Sequence, residues 1–178
     1  MTTWIALLRA VNVGKRQYPM AELRAALVAA GFEDVETHIQ TGNVRVSTRM
    51  RSRDRVVAAL EATMRADRGF EVPVVLLSPA ELQQVVAEAD AVRVEHGEPA
   101  WRQYVEVMAE PPDAEAVALI EEGLPGARAL VRGRAVHLLY DVPFGQVKPP
   151  RAAVTRALGL STNRNLTVLR TLSEKWSS

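Results

Sequence analysis

The sequence has no cysteine, only three histidines and few aromatic residues. Without cysteine the chain has no disulfide, no thiolate nucleophile and no metal or iron–sulfur site that depends on a thiolate ligand. His38, His96 and His137 lie far apart in the sequence and lack metal-ligand spacing, so no metal is expected, and no cofactor is predicted. These absences remove several common kinds of catalytic site.

Long hydrophobic runs are also missing. No apolar segment approaches the roughly 20 residues that a membrane-spanning helix needs. The first residues, Met1 to Ile5, lack the basic region and the cleavable apolar segment of a secretion signal. We therefore expect a cytoplasmic protein with no membrane partner.

Neither sign of charge is in excess. The 22 basic side chains nearly cancel the 21 acidic ones, and the net charge of +1 makes nucleic acid a less expected partner. The apolar content of 48% is that of a globular protein. Only Lys15, Lys148 and Lys175 are lysine and the remaining basic residues are arginine. Because arginine is the usual basic residue in this sequence, an isolated arginine is weak evidence of a functional site, whereas each of the three lysines is stronger evidence.

Residues 1–78 predict a ferredoxin-like βαββαβ unit. Apolar residues recur at helical spacing in two segments, and alternation on both sides of Gly42 and Asn43 predicts a hairpin. In chain order, the predicted elements are a strand over Thr3–Arg9, a helix from Pro19 to Gly31, a hairpin over Val35–Val46, a helix from Ser52 to Gly69 and a strand over Val72–Leu77.

Residues 79–100 predict a connecting helix and a linker, and residues 101–178 a second α+β half. Ser78, Pro79 and Glu81 form a capping box, so the connecting helix should run to about Ala89 before a polar linker. The second half is predicted as βαββα with an extra C-terminal helix where a last strand would stand. Its elements are a strand over Trp101–Met108, a helix over Ala114–Glu122, a hairpin over Ala127–Tyr140, a helix from Pro149 or Pro150 to Leu158 and a helix from Asn165 to about Trp176.

Two polar loops of the first half should meet at one end of its sheet. The right-handed crossover of a split βαβ unit makes the first two strands parallel, so the segments that follow them emerge together. Arg9–Tyr18 should therefore face Thr41–Asn43. The first of these segments precedes a helix and carries Lys15 and Arg16, which favours anion binding, although its spacing matches neither phosphate-binding glycine motif. A solvated loop shaped by its turn residues explains the same pattern.

Several segments carry a resemblance to a known family. They are Ala6–Lys15, Met20–Leu23, Gly31-Phe32, His38–Val44 and Thr162–Leu166. In this order they resemble the bacterial DUF1697 family, a domain of unknown function that typically reads A-L-L-R-G-I-N-V-G-G, M-x-x-L, G-F, Y-I-Q-S-G-N-V and T-T-R-N-W. The resemblance implies a two-part α+β fold of paired ferredoxin-like units and supplies no activity. The departures from the pattern are Ala10 and Lys15 for glycine, His38 for tyrosine, Thr41 for serine and Leu166 for tryptophan. In addition, Val147-Lys148 stands where the family usually has Ser-Lys before the penultimate helix.

The leading functional hypothesis is binding of a small anionic ligand, such as a nucleotide or a phosphorylated metabolite. Cationic side chains would hold its charge, polar ones would orient it, and glycines would allow close approach of the backbone. The candidate ligand-binding residues are Arg9, Asn12, Gly14, Lys15, Gln40, Thr41, Gly42, Asn43, Lys148, Arg164 and Asn165. Asn165 is equally well explained as a helix cap.

Two other classes of function stay open, and no reaction is assigned. An RNA-associated protein is the first, although a base-stacking sheet needs aromatic residues on its central strands and only Trp4 is available there. A structural or protein-interaction subunit is the second, and the oligomeric state is left open. Hydrolase chemistry is the least supported, because there is no G-x-S-x-G motif. His38 is either a general base or an ordinary sheet histidine.

Overall fold

The structure, a computed structural model, describes residues 1–99 and 101–177, and its strands and helices repeat one order twice. The elements are β1 (Thr2–Leu8), α1 (Met20–Ala29), β2 (Glu33–His38), β3 (Asn43–Thr48), α2 (Arg53–Arg68), β4 (Val74–Leu77), α3 (Pro79–His96), β5 (Arg102–Met108), α4 (Ala114–Gly123), β6 (Ala127–Arg132), β7 (Ala135–Tyr140), the 3₁₀ turn Phe144–Gln146, α5 (Ala152–Leu158), β8 (Ser161–Asn165) and α6 (Leu166–Trp176). They form unit 1, which is Met1–Leu82 with the residues from Lys175 onward, and unit 2, which is Gln83–Glu174. In the described part of the chain no helix combines the length and the apolar character needed to cross a membrane.

Unit 1 contains an antiparallel sheet in the order β2-β3-β1-β4, which is the predicted ferredoxin-like arrangement. The continuous apolar run of β1 arises because both of its faces are buried: Ile5 and Leu7 on one side are as inaccessible as Ala6 and Leu8 on the other. The second face packs against apolar residues of α1 and α2, including Leu23, Leu27 and Leu60. Sequence periodicity thus predicted this half correctly.

Residues 176 and 177 complete unit 1. The indole Nε1 of Trp176 donates a hydrogen bond to Glu36 Oε2 on β2 at 3.0 Å, and the hydroxyl of Ser177 donates to the carbonyl oxygen of Pro79 at 3.3 Å. The Trp176 side chain is buried. Unit 1 therefore takes residues from both ends of the sequence shown.

The helix ends follow the predicted capping chemistry. Ser52 accepts a hydrogen bond from the backbone N–H of Arg55, and Gly69 follows the last residue of α2. At α3 the backbone N–H of Ser78 donates to Glu81 Oε2 at 2.7 Å, while the N–H of Glu81 donates to Ser78 Oγ at 3.2 Å. This reciprocal pair confirms the capping box.

The predicted end of α3 at about Ala89 is wrong, because the helix continues to His96. The continuation has an apolar basis: Leu82, Val85, Ala89 and Val92 recur at helical spacing and are all buried. The charged residues between them gave the segment its linker-like composition. Most of the predicted linker is therefore helix, and its last residue, Ala100, lies outside the described residues.

Unit 2 has a sheet in the order β6-β7-β5-β8, so the second half of the chain is also βαββαβ. The predicted βαββα pattern missed β8, and the last helix begins at Leu166 rather than Asn165. Strand β8 has the sequence Ser-Thr-Asn-Arg-Asn and therefore shows no apolar alternation. Pairing with β5 and polar contacts hold it instead, including a hydrogen bond from Asn163 Nδ2 to Glu106 Oε2 at 3.0 Å.

Candidate functional site

The structure brings together the two polar segments of unit 1. We call Arg9–Tyr18 the first loop and Ile39–Gly42 the second loop. Asn12 Nδ2 donates to the carbonyl oxygen of Gln40 at 2.8 Å, and the N–H of Leu8 donates to the carbonyl oxygen of Gly42 at 2.8 Å. These contacts confirm that the segments after β1 and β2 emerge at one end of the sheet.

The amide of Asn12 is used to shape the first loop. Its Oδ1 accepts from the N–H of Tyr18 at 2.7 Å, and its Nδ2 donates to the Tyr18 carbonyl at 3.1 Å as well as to Gln40. One side chain thus closes the loop and ties it to the second loop. The structural interpretation of Asn12 accounts for these contacts.

Asn43, Thr41 and Gly42 have structural roles in the second loop and the start of β3. Asn43 is fully buried, and its Nδ2 donates to the carbonyl of His38 at 3.0 Å and to Thr41 Oγ1 at 3.1 Å. Gly42 has a φ of +79°, and a Cβ built on it would lie 2.5 Å from Val11 Cγ1 and 2.7 Å from Leu8 Cβ. Glycine therefore lets the two loops pack against each other.

The exposed part of this surface is cationic. Arg9, Lys15 and Arg16 are all exposed, and among residues 1–99 and 101–177 none of them has an ion-pair partner. The guanidinium of Arg16 lies 6.0 Å from the centroid of the Phe70 ring. Gln40 of the adjoining second loop is also exposed. A bound anion would therefore meet charged groups that need not give up an existing ion pair.

Both loops contain residues whose backbone torsion angle φ is positive, as in the left-handed region. In the first part of the first loop φ is positive at three alternate residues, with +54° at Ala10, +56° at Asn12 and +58° at Gly14. Alternation of this kind is typical of concave backbone segments whose N–H groups bind anions. In the second loop Ile39 has a φ of +51° and is 46% exposed, which is strained for a β-branched residue.

Two titratable groups near the loops have shifted pKa values. Burial raises the pKa of Tyr18 to about 12, and the neighbouring carboxylate of Asp67 acts in the same direction. Burial lowers the pKa of His38, with the positive charge of Lys175 acting in the same direction. Both side chains are therefore neutral near pH 7, and neither adds charge to the loop surface.

The other predicted site residues belong to unit 2. Lys148 is exposed. Arg164 is buried, and its guanidinium donates to Thr162 Oγ1 at 2.7 Å and to the Asn163 carbonyl at 2.8 Å. Burial lowers the pKa of Arg164 to about 10, against the opposing influence of Glu106. Asn165 Oδ1 accepts from the N–H of Thr167 at 2.8 Å, as expected for a helix cap.

A buried histidine in unit 2 has no hydrogen-bond partner. His137 lies on β7, is completely inaccessible, and neither of its ring nitrogens is bonded within the described part of the chain. Glu88 Oε2 lies 3.8 Å from its Nε2, beyond hydrogen-bond distance. Burial lowers the pKa of His137 to about 4, and the charge of Arg132 contributes. Within the described ranges no group of three or more histidine, aspartate or glutamate residues is arranged to hold a metal.

Sequence reasoning missed an open cleft in unit 2. The cleft has a volume of about 740 Å³ and lies between the start of β5 and the start of α6. Of the residues that line the cleft, only Asn165 is among the ligand-binding residues predicted from the sequence. Trp101 and Arg102 gave no signal, because an isolated aromatic or arginine in this sequence is uninformative.

Comparisons with known proteins give a family for this chain and a solved structure of the same fold. The family model of DUF1697, described as a protein of unknown function, matches residues 1–136. The chain belongs to the DUF1697 family. The DUF1697 fold is also seen in the solved structure of the conserved bacterial protein SP0830 from Streptococcus pneumoniae, which aligns with a TM-score of 0.73 over 97% of each chain at 21% identity. No curated protein matches this DUF1697 member.

Two departures from the DUF1697 pattern differ in their physical consequence. Ala10 replaces a glycine at a φ of +54°, where a Cβ is unfavourable. Lys15 also replaces a glycine, but its φ is not positive, so the lysine adds a charge without this strain. The second departure therefore adds to the cationic surface at little structural cost.

Replacing Ala10 with glycine should stabilise the protein by about 1 kcal/mol, because it removes the left-handed strain of an exposed residue. Urea unfolding measures the effect. Ala30→Gly is the matched control, since Ala30 is exposed with a φ of −80° and should lose stability on the same change. A loss of stability in both variants would contradict the strain at Ala10.

Proposed function

We propose that this DUF1697 member acts in the cytoplasm by binding a small anionic ligand, a nucleotide or a phosphorylated metabolite, on the surface formed by its first and second loops. The observation that carries the proposal is the set of three exposed cations, Arg9, Lys15 and Arg16, on a loop whose backbone has a positive φ at Ala10, Asn12 and Gly14. None of the three has an ion pair in the described part of the chain.

Backbone and side chains would act together on such a ligand. The N–H group of Asn12 already donates to the carbonyl of Arg16, so only the loop N–H groups that are not bonded within the protein would donate to phosphate oxygens. Lys15 contributes a compact ammonium, and the guanidinium groups of Arg9 and Arg16 donate paired hydrogen bonds. Asn12, Gly42 and Asn43 keep the loops in place rather than contacting the ligand.

A protein contact at the same surface is the second candidate. Val13 is 66% exposed and Ile39 46% exposed, and each lies in one of the two adjoining loops. Exposed apolar residues rimmed by charge are typical of partner surfaces. An RNA-stacking role has less support, since Trp4 is buried in the core beneath α1 and α2.

Titration of ¹⁵N-labelled protein with pyrophosphate tests the leading proposal. Amide signals of residues 9–16 and 40–42 should shift, and Lys15→Gln with Arg16→Gln should weaken binding by about fivefold or more, as expected for lost charge-assisted hydrogen bonds. Arg51→Gln removes an exposed charge outside both loops and should leave the affinity unchanged. Silent loop amides, or an equal loss with Arg51→Gln, would refute the proposal.

A further inference from the structure

The unit-2 cleft has the dimensions of a small-molecule site. It is bounded by Trp101–Tyr104 on one side and by Asn165–Val168 with Arg170 on the other. Its volume of about 740 Å³ lies within the range of ligand pockets, roughly 300–1,000 Å³. The cleft is large enough for a nucleotide, whereas an inorganic ion would leave most of it empty.

The lining of the cleft carries an excess of positive charge. Arg93, Arg102 and Arg170 line it together with one carboxylate, Glu98. Arg93 is paired with Glu98, and Arg170 is paired with Asp90. Arg102 is exposed and has no ion pair within the described ranges. One guanidinium is thus available to an anionic group without the loss of an existing pair.

The first turn of α6 adds backbone donors to this charge. Leu166, Thr167 and Val168 line the cleft at the N-terminus of an eleven-residue helix. The N–H of Thr167 is capped by Asn165, whereas helix geometry leaves the other N–H groups of the first turn without intrahelical acceptors. Together with the helix dipole, these N–H groups favour binding of a phosphate group at this end of the helix.

An independent observation comes from Gln103, which lines the cleft but is only 4% exposed. Its Nε2 donates to the carbonyl of Ala89 at 3.1 Å, while its Oε1 has no hydrogen-bond partner among residues 1–99 and 101–177. The Oε1 atom is inaccessible in this conformation, and because an unsatisfied buried amide oxygen is costly, a turn of the amide that lets a ligand donor reach Oε1 would be favoured.

The remaining wall offers a surface for a planar ring. The Trp101 side chain is 45% exposed, and the guanidinium of Arg102 lies 5.3 Å from the centroid of its ring. Exposed aromatic and guanidinium planes stack on nucleic-acid bases. The ring of Tyr104 also lines the cleft.

We propose that the unit-2 cleft binds a nucleoside phosphate, with the base against Trp101, the phosphate at the start of α6 beside Arg102, and a base N–H or ribose O–H donating to Gln103 Oε1. This site is built from residues of unit 2, whereas the loop surface proposed above is built from residues of unit 1.

Tryptophan fluorescence gives a direct test with AMP as the probe. Trp4 and Trp176 are buried at 7% and 3% exposure, so quenching by AMP would report mainly on Trp101. AMP should quench the fluorescence and shift the amides of Leu166–Val168 and the side-chain NH₂ of Gln103. Adenosine and inorganic phosphate, tested alone, should each bind about tenfold or more weakly than AMP, because each lacks one half of the recognition.

Substitutions make the assignment specific. Arg102→Ala should weaken AMP binding by about fivefold or more, and Arg128→Ala should not change it, since Arg128 is an exposed arginine on β6 outside the cleft lining. The proposal is overturned by absent quenching at millimolar AMP, by equal losses in both variants, or by amide shifts confined to residues 9–16 and 40–42. The last result would leave the loop surface as the nucleotide site, so the two proposals fail independently.

Discussion

Gly42→Ala should lower the free energy of unfolding by about 3 kcal/mol. The new Cβ would lie 2.5 Å from Val11 Cγ1 and 2.7 Å from Leu8 Cβ, and the φ of +79° is unfavourable for alanine. Both atoms belong to buried side chains, so neither can move aside without disturbing the core. Urea unfolding followed by circular dichroism measures the loss.

Gly31→Ala separates the steric effect from the backbone effect. Gly31 has a φ of +89°, but a Cβ built on it would have no neighbouring heavy atom within 4 Å. We therefore expect only the backbone penalty, about 1 kcal/mol. Adding Val11→Ala to Gly42→Ala removes the nearest contact and should reduce the loss attributable to Gly42→Ala. Equal losses for Gly42→Ala and Gly31→Ala would show that close packing of the loops is unimportant.

Acidification should destabilise unit 2 through His137. The unfolded histidine titrates near its ordinary pKa of about 6.5, whereas burial and the charge of Arg132 lower the folded pKa to about 4. Between these values the unfolded chain binds more protons, so stability is present above about pH 6.5 and is lost as the pH falls to about 4. The difference corresponds to about 3 kcal/mol.

A pH series of urea unfolding curves checks this expectation. His137→Leu removes the titration and the unsatisfied ring nitrogens, so its stability should fall less steeply between pH 6.5 and 4. His96→Gln, which changes a partly exposed histidine of α3, should retain the dependence of the unchanged protein. If the His137→Leu and wild-type curves are parallel in pH, the buried histidine does not determine acid sensitivity.

The meeting of the two loops could be predicted because it depends on local and topological rules. Strand periodicity located β1 and the hairpin, and the handedness of the crossover placed the following segments at one end of the sheet. The roles of the residues in these loops could not be predicted in the same way. Asn12 and Asn43 are equally suitable for a ligand and for a turn, and only their hydrogen-bond partners show that they shape the backbone.

Strand β8 and the unit-2 cleft could not be predicted from the sequence for a related reason. Strand β8 has no apolar residue, so it is recognisable only through its pairing with β5. The cleft combines residues near 101 with residues near 166, and no periodicity links such distant segments. The prediction of where α3 ends was wrong for a different reason. The charged residues of this segment obscured the apolar spacing that continues to Val92.

The contribution of Trp176 to unit 1 has a consequence for biosynthesis. Strand β2, which receives the Trp176 hydrogen bond, is an edge strand of the unit 1 sheet. On the ribosome, all of residues 83–174 must be made after Leu82 before the indole reaches Glu36. During that interval the nascent unit 1 lacks a buried side chain beside an open sheet edge, which is the kind of surface that chaperones and neighbouring chains bind. Folding of unit 1, which is made first, can therefore be completed only after unit 2 has been translated.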